Sequence, residues 1–222
     1  MNAVITAYYA HYCFLDYNFG WVADLDQSLA SALEFAKKAV TLDDTDSTAR
    51  WILSLVCTMM HNYGEARAHI EKALEFNPND TEARCIYGNV LSFIGEPEKA
   101  LEEFEIAKRH NPFDLSWLPW VKGMAYFTAR RYAEAIETFS QIHDPNHEIN
   151  YWLAASYAHA GQLTEARAKL REFLLIAERD MAYFPDQNSQ EWMNYLDRSL
   201  PYEDRRDLHH LCEGLRKAGL PI

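Results

Sequence analysis

The sequence predicts an all-α protein, a right-handed α-α superhelical solenoid of about five helix pairs with capping helices at both ends. Three observations carry that prediction. Ala32, Ala66, Ala100, Ala135 and Ala166 follow one another at steps of 34, 34, 35 and 31 residues, and self-similarity at about 34 residues marks stacked helix-turn-helix units too small to bury their own apolar faces. Around each alanine, apolar residues return at the 3, 4 and 7 spacing of a helical stripe. Punctuation falls where helices must turn: Gly64, Gly95 and Gly161 precede the second helices, and Asn77-Pro78 and Asn111-Pro112 close two units, because proline cannot continue a helix.

The elements follow in order. Residues 2–18 read as an aromatic helix bearing Tyr8, Tyr9, Tyr12 and Phe14, paired with a second helix over 24–40. Together, within 1–46, they form an N-terminal cap or degenerate unit that shields one end of the stack. Asp43-Asp44-Thr45-Asp46 has the look of an acidic loop but lacks the glycine and distal glutamate of a calcium site, so Asp46 or Ser47 is expected to cap the next helix.

Four units then occupy 47–80, 81–114, 116–146 and 147–180. Their shared slots hold Ser54, Ala66 and Ile70 in the first, then Gly88, Ala100 and Phe104 in the second. Gly123, Ala135 and Phe139 fill them in the third, and Ala154, Ala166 and Leu170 in the fourth. The small residues of the two helices are expected to face each other, while the large residue four positions beyond each alanine fills the groove between units. The three turn glycines are expected to adopt left-handed backbone. Residues 181–222 form the C-terminal cap, with helices over 189–198 and 202–217 split by Pro201, the second ending at Gly219 and striped by Leu208, Leu211, Cys212 and Leu215.

These slots resemble the tetratricopeptide repeat over roughly 24–180, with three good copies and two degenerate ones. The segments running from Tyr63-Gly64-Glu65-Ala66 to Asn77-Pro78-Asn79-Asp80, and from Gly95-Glu96-Pro97-Glu98-Lys99-Ala100 to Asn111-Pro112, carry the resemblance most specifically. One departure is that the tryptophan usual near the start of each first helix is replaced by Arg50, Arg84, Pro119 and Asn150, although Trp51, Trp120 and Tyr151 stand one residue later. The ends add a narrower likeness. The run from Leu211 to Pro221, and the Gly20-Trp21 loop followed by Ala32, Ala36 and Ala39, are similar to the repeat regions attached to bacterial class III adenylate/guanylate cyclase-like regulators. On that likeness the chain is the repeat region alone, a fragment or a short stand-alone relative.

The resemblance implies that the first helix of each unit lines a concave groove. Helical spacing then selects Trp51, Leu55 and Met59; Cys85, Asn89 and Phe93; Trp117, Trp120, Met124 and Phe127; and Tyr151 and His159 as groove residues. An aromatic and methionine-rich lining suits an apolar helix or extended peptide; the plainer reading of each residue is packing against the next unit. Repeat proteins that clamp a C-terminal carboxylate present Lys, Arg and Asn along this groove, and here only Asn89 fits.

Charge and composition narrow the function. The 222 residues are 49% hydrophobic and 24% charged, with only 8 Gly and 8 Pro, enough apolar material for one folded unit. A net charge of -12 argues against a nucleic-acid footprint, which needs clustered cations; Lys108-Arg109, Arg130-Arg131 and Arg205-Arg206 are short. The apolar stretch 3–15 is interrupted by Thr6 and His11 and is shorter than the roughly 20 residues that span a bilayer. No Lys or Arg precedes Lys37, so a secretory signal is not expected and a cytoplasmic location is the default. Cys13, Cys57, Cys85 and Cys212 lie far apart, as buried thiols of a reducing compartment do.

No nucleophile elbow, phosphate loop, H-E-x-x-H or Cys/His zinc spacing is found, and His209-His210 with Cys212 point in different directions on a helix. Neither cofactor, metal nor catalytic residue is therefore expected. The expected function is a non-catalytic protein-protein interaction scaffold that binds a peptide, a helix or an adjacent domain. The alternative is a C-terminal regulatory or dimerisation region of a nucleotide cyclase-like or transcriptional regulatory protein, and a homodimer fits either.

Overall fold

In the computed structural model, which describes residues 2–113, 116–143, 147–181 and 189–222, the described residues form twelve helices and no strand. Ten run as five antiparallel pairs: α1 (Ala3–Phe19) with α2 (Leu25–Leu42), α3 (Ser47–Met59) with α4 (Tyr63–Phe76), α5 (Thr81–Phe93) with α6 (Pro97–His110), α7 (Leu118–Thr128) with α8 (Tyr132–Ser140), and α9 (His147–His159) with α10 (Leu163–Asp180). Each pair stacks on the next, and the first helices α1, α3, α5, α7 and α9 touch in succession, so they line the inner face of the superhelix. The five alanines of the 34-residue period sit at the contacts with no exposed surface.

Local chemistry sets the helix starts. Asp46 accepts a hydrogen bond from the Ala49 amide at 3.1 Å and Asp80 one from Ala83 at 3.0 Å, satisfying amides that a helix N-terminus leaves without a partner. Asp80 also accepts the Ser47 hydroxyl at 2.6 Å, which ties the starts of α3 and α5 together.

The turns of the four pairs from α3/α4 to α9/α10 each use one left-handed residue in the same slot: His61 (φ 57°), Gly95 (φ 82°), Arg130 (φ 64°) and Gly161 (φ 78°). Gly64 does not take this role. It lies in the first turn of α4, and His61 adopts the left-handed backbone in its place, at a steric cost of about 1–2 kcal/mol that glycine would not incur.

A second expectation also changes. The nearest neighbours of Gly88 and Gly123 are the phenylalanines four positions beyond Ala100 and Ala135. A Cβ on Gly88 would stand 2.3 Å from Phe104 Cε1, and one on Gly123 2.5 Å from Phe139 Cε1. Each ring therefore lies on the bare backbone of its own pair and also reaches the next unit, Phe139 stacking on Trp152 of α9 at 6.4 Å and Phe104 joining Leu118, Val121 and Ala125 of α7.

The last two helices are α11 (Ser189–Ser199) and α12 (Arg205–Ala218). Residues 202–204 are not helical as the sequence suggested, because Asp204 caps α12 by accepting from the Arg206 amide at 2.9 Å and Tyr202 is drawn into the core. The similarity-bearing run 211–221 forms most of α12 and its left-handed cap at Gly219. Leu208, Leu211, Cys212 and Leu215 are buried there, and α12 packs on α9 and α10.

The four cysteines are free, with Cys57, Cys85 and Cys212 buried; burial pushes the Cys57 and Cys212 thiols up to about 11 and Cys85 to about 12, so all three stay protonated and unreactive at neutral pH. Among the described residues no helix is long and apolar enough to cross a membrane.

Candidate functional site

A curved stack of helices leaves a hollow on its inner side, and in this chain the hollow is partly filled from within. The turn between α11 and α12 crosses it at the C-terminal ends of the first helices. The Glu203 amide donates to the Phe93 carbonyl at 2.9 Å, and Tyr202 meets the Phe93 ring edge-on at 5.2 Å and shares a 2.8 Å hydrogen bond with Thr128. The Tyr17 hydroxyl donates to the Arg198 carbonyl at 3.4 Å, while the Arg198 guanidinium lies between the Tyr17 and Tyr195 rings, 6.0 and 5.7 Å from their centroids.

What remains is a cavity of about 350 Å³ whose far wall is Ser199 and Leu200. Its walls come from α1, α3, α5, α7 and α9, and they are mostly apolar, rich in aromatic rings. His11 stands edge-on to Trp51 at 5.2 Å, and Phe19 stacks on Trp120 at 5.9 Å. Among the described residues, two carboxylates, Glu82 and Glu148, and no Lys or Arg belong to the lining. Glu148 is 3% exposed, and burial pushes its carboxyl up to about 8, the attraction of Arg198 lowering it only in part. Burial lowers the His11 imidazole to about 4, so both groups are mainly uncharged at neutral pH.

Tetratricopeptide repeat models match residues 69–102 and 122–181. Over 54 residues, 24% of this chain, the sequence is 46% identical to tetratricopeptide repeat protein 21A of Homo sapiens; the chain spans 4% of that relative's length. Among solved structures, PilW, a type IV pilus biogenesis factor, superposes with a TM-score of 0.66 at 16% identity, covering 95% of this chain and 98% of its own. A thermophilic TPR protein of Thermus thermophilus does so with 0.61 at 20% identity, covering 78% and 91%. MamA of Desulfovibrio magneticus RS-1 gives 0.55 at 17% identity, covering 82% and 97%.

The fold is a tetratricopeptide-repeat solenoid.

Within this repeat frame, nine of the residues selected by helical spacing meet around the cavity: Trp51, Leu55, Met59, Asn89, Phe93, Trp117, Trp120, Met124 and Tyr151. Three lie elsewhere. Cys85 is fully buried beside Leu91 and Phe104 in the α5/α6 core, one helical step away from the hollow.

Phe127 and His159 belong to the seam between the repeats and α12. Phe127 packs against Tyr132, Trp152, His159 and His210. His159 stacks on His210 with centroids 3.9 Å apart and bonds the His210 carbonyl at 2.9 Å through Nε2. His210 Nε2 in turn bonds the Tyr132 hydroxyl at 2.6 Å. Burial, with His159 beside it, lowers His210 to about 3, which keeps the stacked pair neutral.

Sequence reasoning missed Glu82 and Glu148. Each stands in the first turn of its helix, where an acidic residue is ordinary because it offsets the helix dipole. No signal in the pattern distinguishes a buried one.

Glu148 makes stability depend on pH in a definite direction. Its folded value lies above the ordinary 4.5, so the unfolded chain gains charge first and stability is lost as pH rises from about 4.5 through about 8. Glu148→Gln removes this term. The variant is expected to be more stable than the parent at pH 8 by roughly 1–2 kcal/mol after the amide's own burial cost, with the gain vanishing at pH 4. Urea midpoints at the two pH values measure it, and an equal shift at both refutes the assignment.

Proposed function

We propose that the chain is a protein-interaction scaffold and that its inner cavity receives side chains from a partner segment. The observation that supports this reading is the cavity itself. Aromatic side chains from all five first helices converge on a space that the chain's own C-terminal turn borders without filling. Burying such rings against a partner's apolar side chains is favourable by about 25 cal/mol per Å², and peptide-binding grooves are read through pockets of this kind.

Trp120 is the residue on which to test it. It is half-buried, its indole N–H has no hydrogen-bond partner among the described residues, and the ring meets Phe19 across the hollow. Peptides selected from a random library on the intact chain are expected to lose at least about tenfold in affinity on Trp120→Ala, with the thermal transition retained. Selected peptides that bind the variant as tightly as the parent would show that the interaction surface lies elsewhere.

A further inference from the structure

The cavity has a charge pattern as well as a shape. Its rim is acidic: Tyr8, 43% exposed, lies beside Glu82, Asp80 and Asp46, all three of which raise its hydroxyl after burial does. Glu82 is itself half-buried, its carboxyl raised by desolvation and then by Asp80. Glu148, more than nine-tenths buried, also belongs to the lining, where its charge acts on the Tyr151 and Tyr195 hydroxyls. Trp51, Trp117, Trp120 and Tyr151 belong to the same lining.

Asp46 and Asp80 also cap α3 and α5, which accounts for their presence at those positions. It does not account for Glu148. A carboxyl buried this deeply is costly even with the Tyr151 and Tyr195 hydroxyls and the Arg198 guanidinium acting on it, and a cation entering beside it would offset that cost.

We propose that this cavity is a site for an organic cation, an ammonium or guanidinium group carried on an apolar stem. Aromatic rings attract a cation through their quadrupoles, most strongly where water is excluded, and the apolar stem fills the remaining wall surface. Among the described residues, no cationic side chain of the lining competes for the position. Arg198, the nearest guanidinium acting on Glu148, is held outside the lining between Tyr17 and Tyr195. In the empty cavity Glu148 is held mainly in its protonated form, with its carboxyl near 8; an entering cation favours the carboxylate and gains a charge-assisted partner.

If the scaffold reading holds, the cation is the tip of a partner's lysine or arginine; the site chemistry does not require that source. Titrations followed by tryptophan fluorescence separate the cases. The probes are phenethylammonium, phenethyl alcohol and 3-phenylpropionate, together with two capped tripeptides, leucine-lysine-leucine and leucine-norleucine-leucine. The alcohol is the demanding control, because the Trp120 N–H offers its oxygen a hydrogen bond.

The amine and the lysine peptide are expected to bind at least about tenfold more tightly than their neutral counterparts, and the propionate most weakly. Glu148→Gln, nearly isosteric with the protonated acid, is expected to bring the amine down to the alcohol's affinity while leaving the alcohol unchanged. Binding of the peptide alone assigns the cation to a partner chain, and binding of the amine alone to a small ligand. The proposal is overturned if alcohol and amine bind equally, if Glu148→Gln leaves the amine's affinity intact, or if neither cation binds. Library-selected peptides that depend on Trp120 but carry no basic residue would also overturn it, while leaving the scaffold reading in place.

Discussion

Tyr202→Ala is expected to lower stability by about 3–5 kcal/mol, the range for removing a fully buried aromatic side chain, and to release the C-terminal helices from the hollow. Tyr202 is 2% exposed, and its ring and hydroxyl hold two different helices, α5 through Phe93 and α7 through Thr128. Its deletion leaves a cavity and strands the Thr128 hydroxyl with one partner fewer, so transfer and hydrogen-bond losses add. Tyr202→Phe separates them: it retains the ring contact and is expected to cost about 1 kcal/mol. Hydrogen exchange gives a second readout. In the alanine variant, amides of α11 and α12 are expected to exchange far faster than those of α3 to α6. Uniform acceleration across the chain would mean that Tyr202 supports the whole stack and does not act as a local clamp.

Gly88→Ala is expected to destabilise by about 2–3 kcal/mol, against the usual direction of the change. In an ordinary helix interior alanine gains close to 1 kcal/mol over glycine. Here the new methyl group would stand 2.3 Å from Phe104 Cε1 and 2.7 Å from Cζ. Phe104 is itself 1% exposed, so the ring has nowhere to go and the helices must separate, an overpacking penalty of a few kcal/mol. A double-mutant cycle tests the cause. With Phe104→Leu in the background, Gly88→Ala is expected to become neutral or stabilising; a penalty that persists with leucine would place the constraint in the backbone and not in the ring.

The Gly88 contact also illustrates how the pattern in the sequence translates into structure. Spacing located the helices, since a small residue about every 34 positions and an apolar stripe leave few alternatives, and the four helices expected over 2–18, 24–40, 189–198 and 202–217 lie at Ala3–Phe19, Leu25–Leu42, Ser189–Ser199 and Arg205–Ala218. Spacing does not say which large residue lies on which small one. Phe104 and Ala100 share one face of α6, and how far the ring turns inward to Gly88 or outward to the next unit depends on the crossing of two helices. Similarly, His61 took the left-handed slot assigned to Gly64 because position in the turn, and not residue preference, decides which φ must be positive.

The candidate site was legible in the same measure. Nine of twelve residues chosen by helical periodicity line the cavity, because the inner face of a first helix is a local property. Phe127 and His159 went to α12 instead, and Glu148 was overlooked. Both outcomes depend on pairings with a segment many residues distant, which periodicity does not encode. The cyclase-like reading of 211–221 concerned that same segment, whose apolar stripe is used inside the chain, on α9 and α10.

That distant pairing changes how the molecule should come apart. A plain array of helix pairs has only neighbour contacts, so it frays from either end as a sum of nearly independent segments. Here Arg198 and Glu203 reach back to Tyr17 and Phe93, closing the stack on itself as a clasp closes a bracelet. Losing the link between Tyr17 and Arg198 weakens the first pair and the C-terminal helices together.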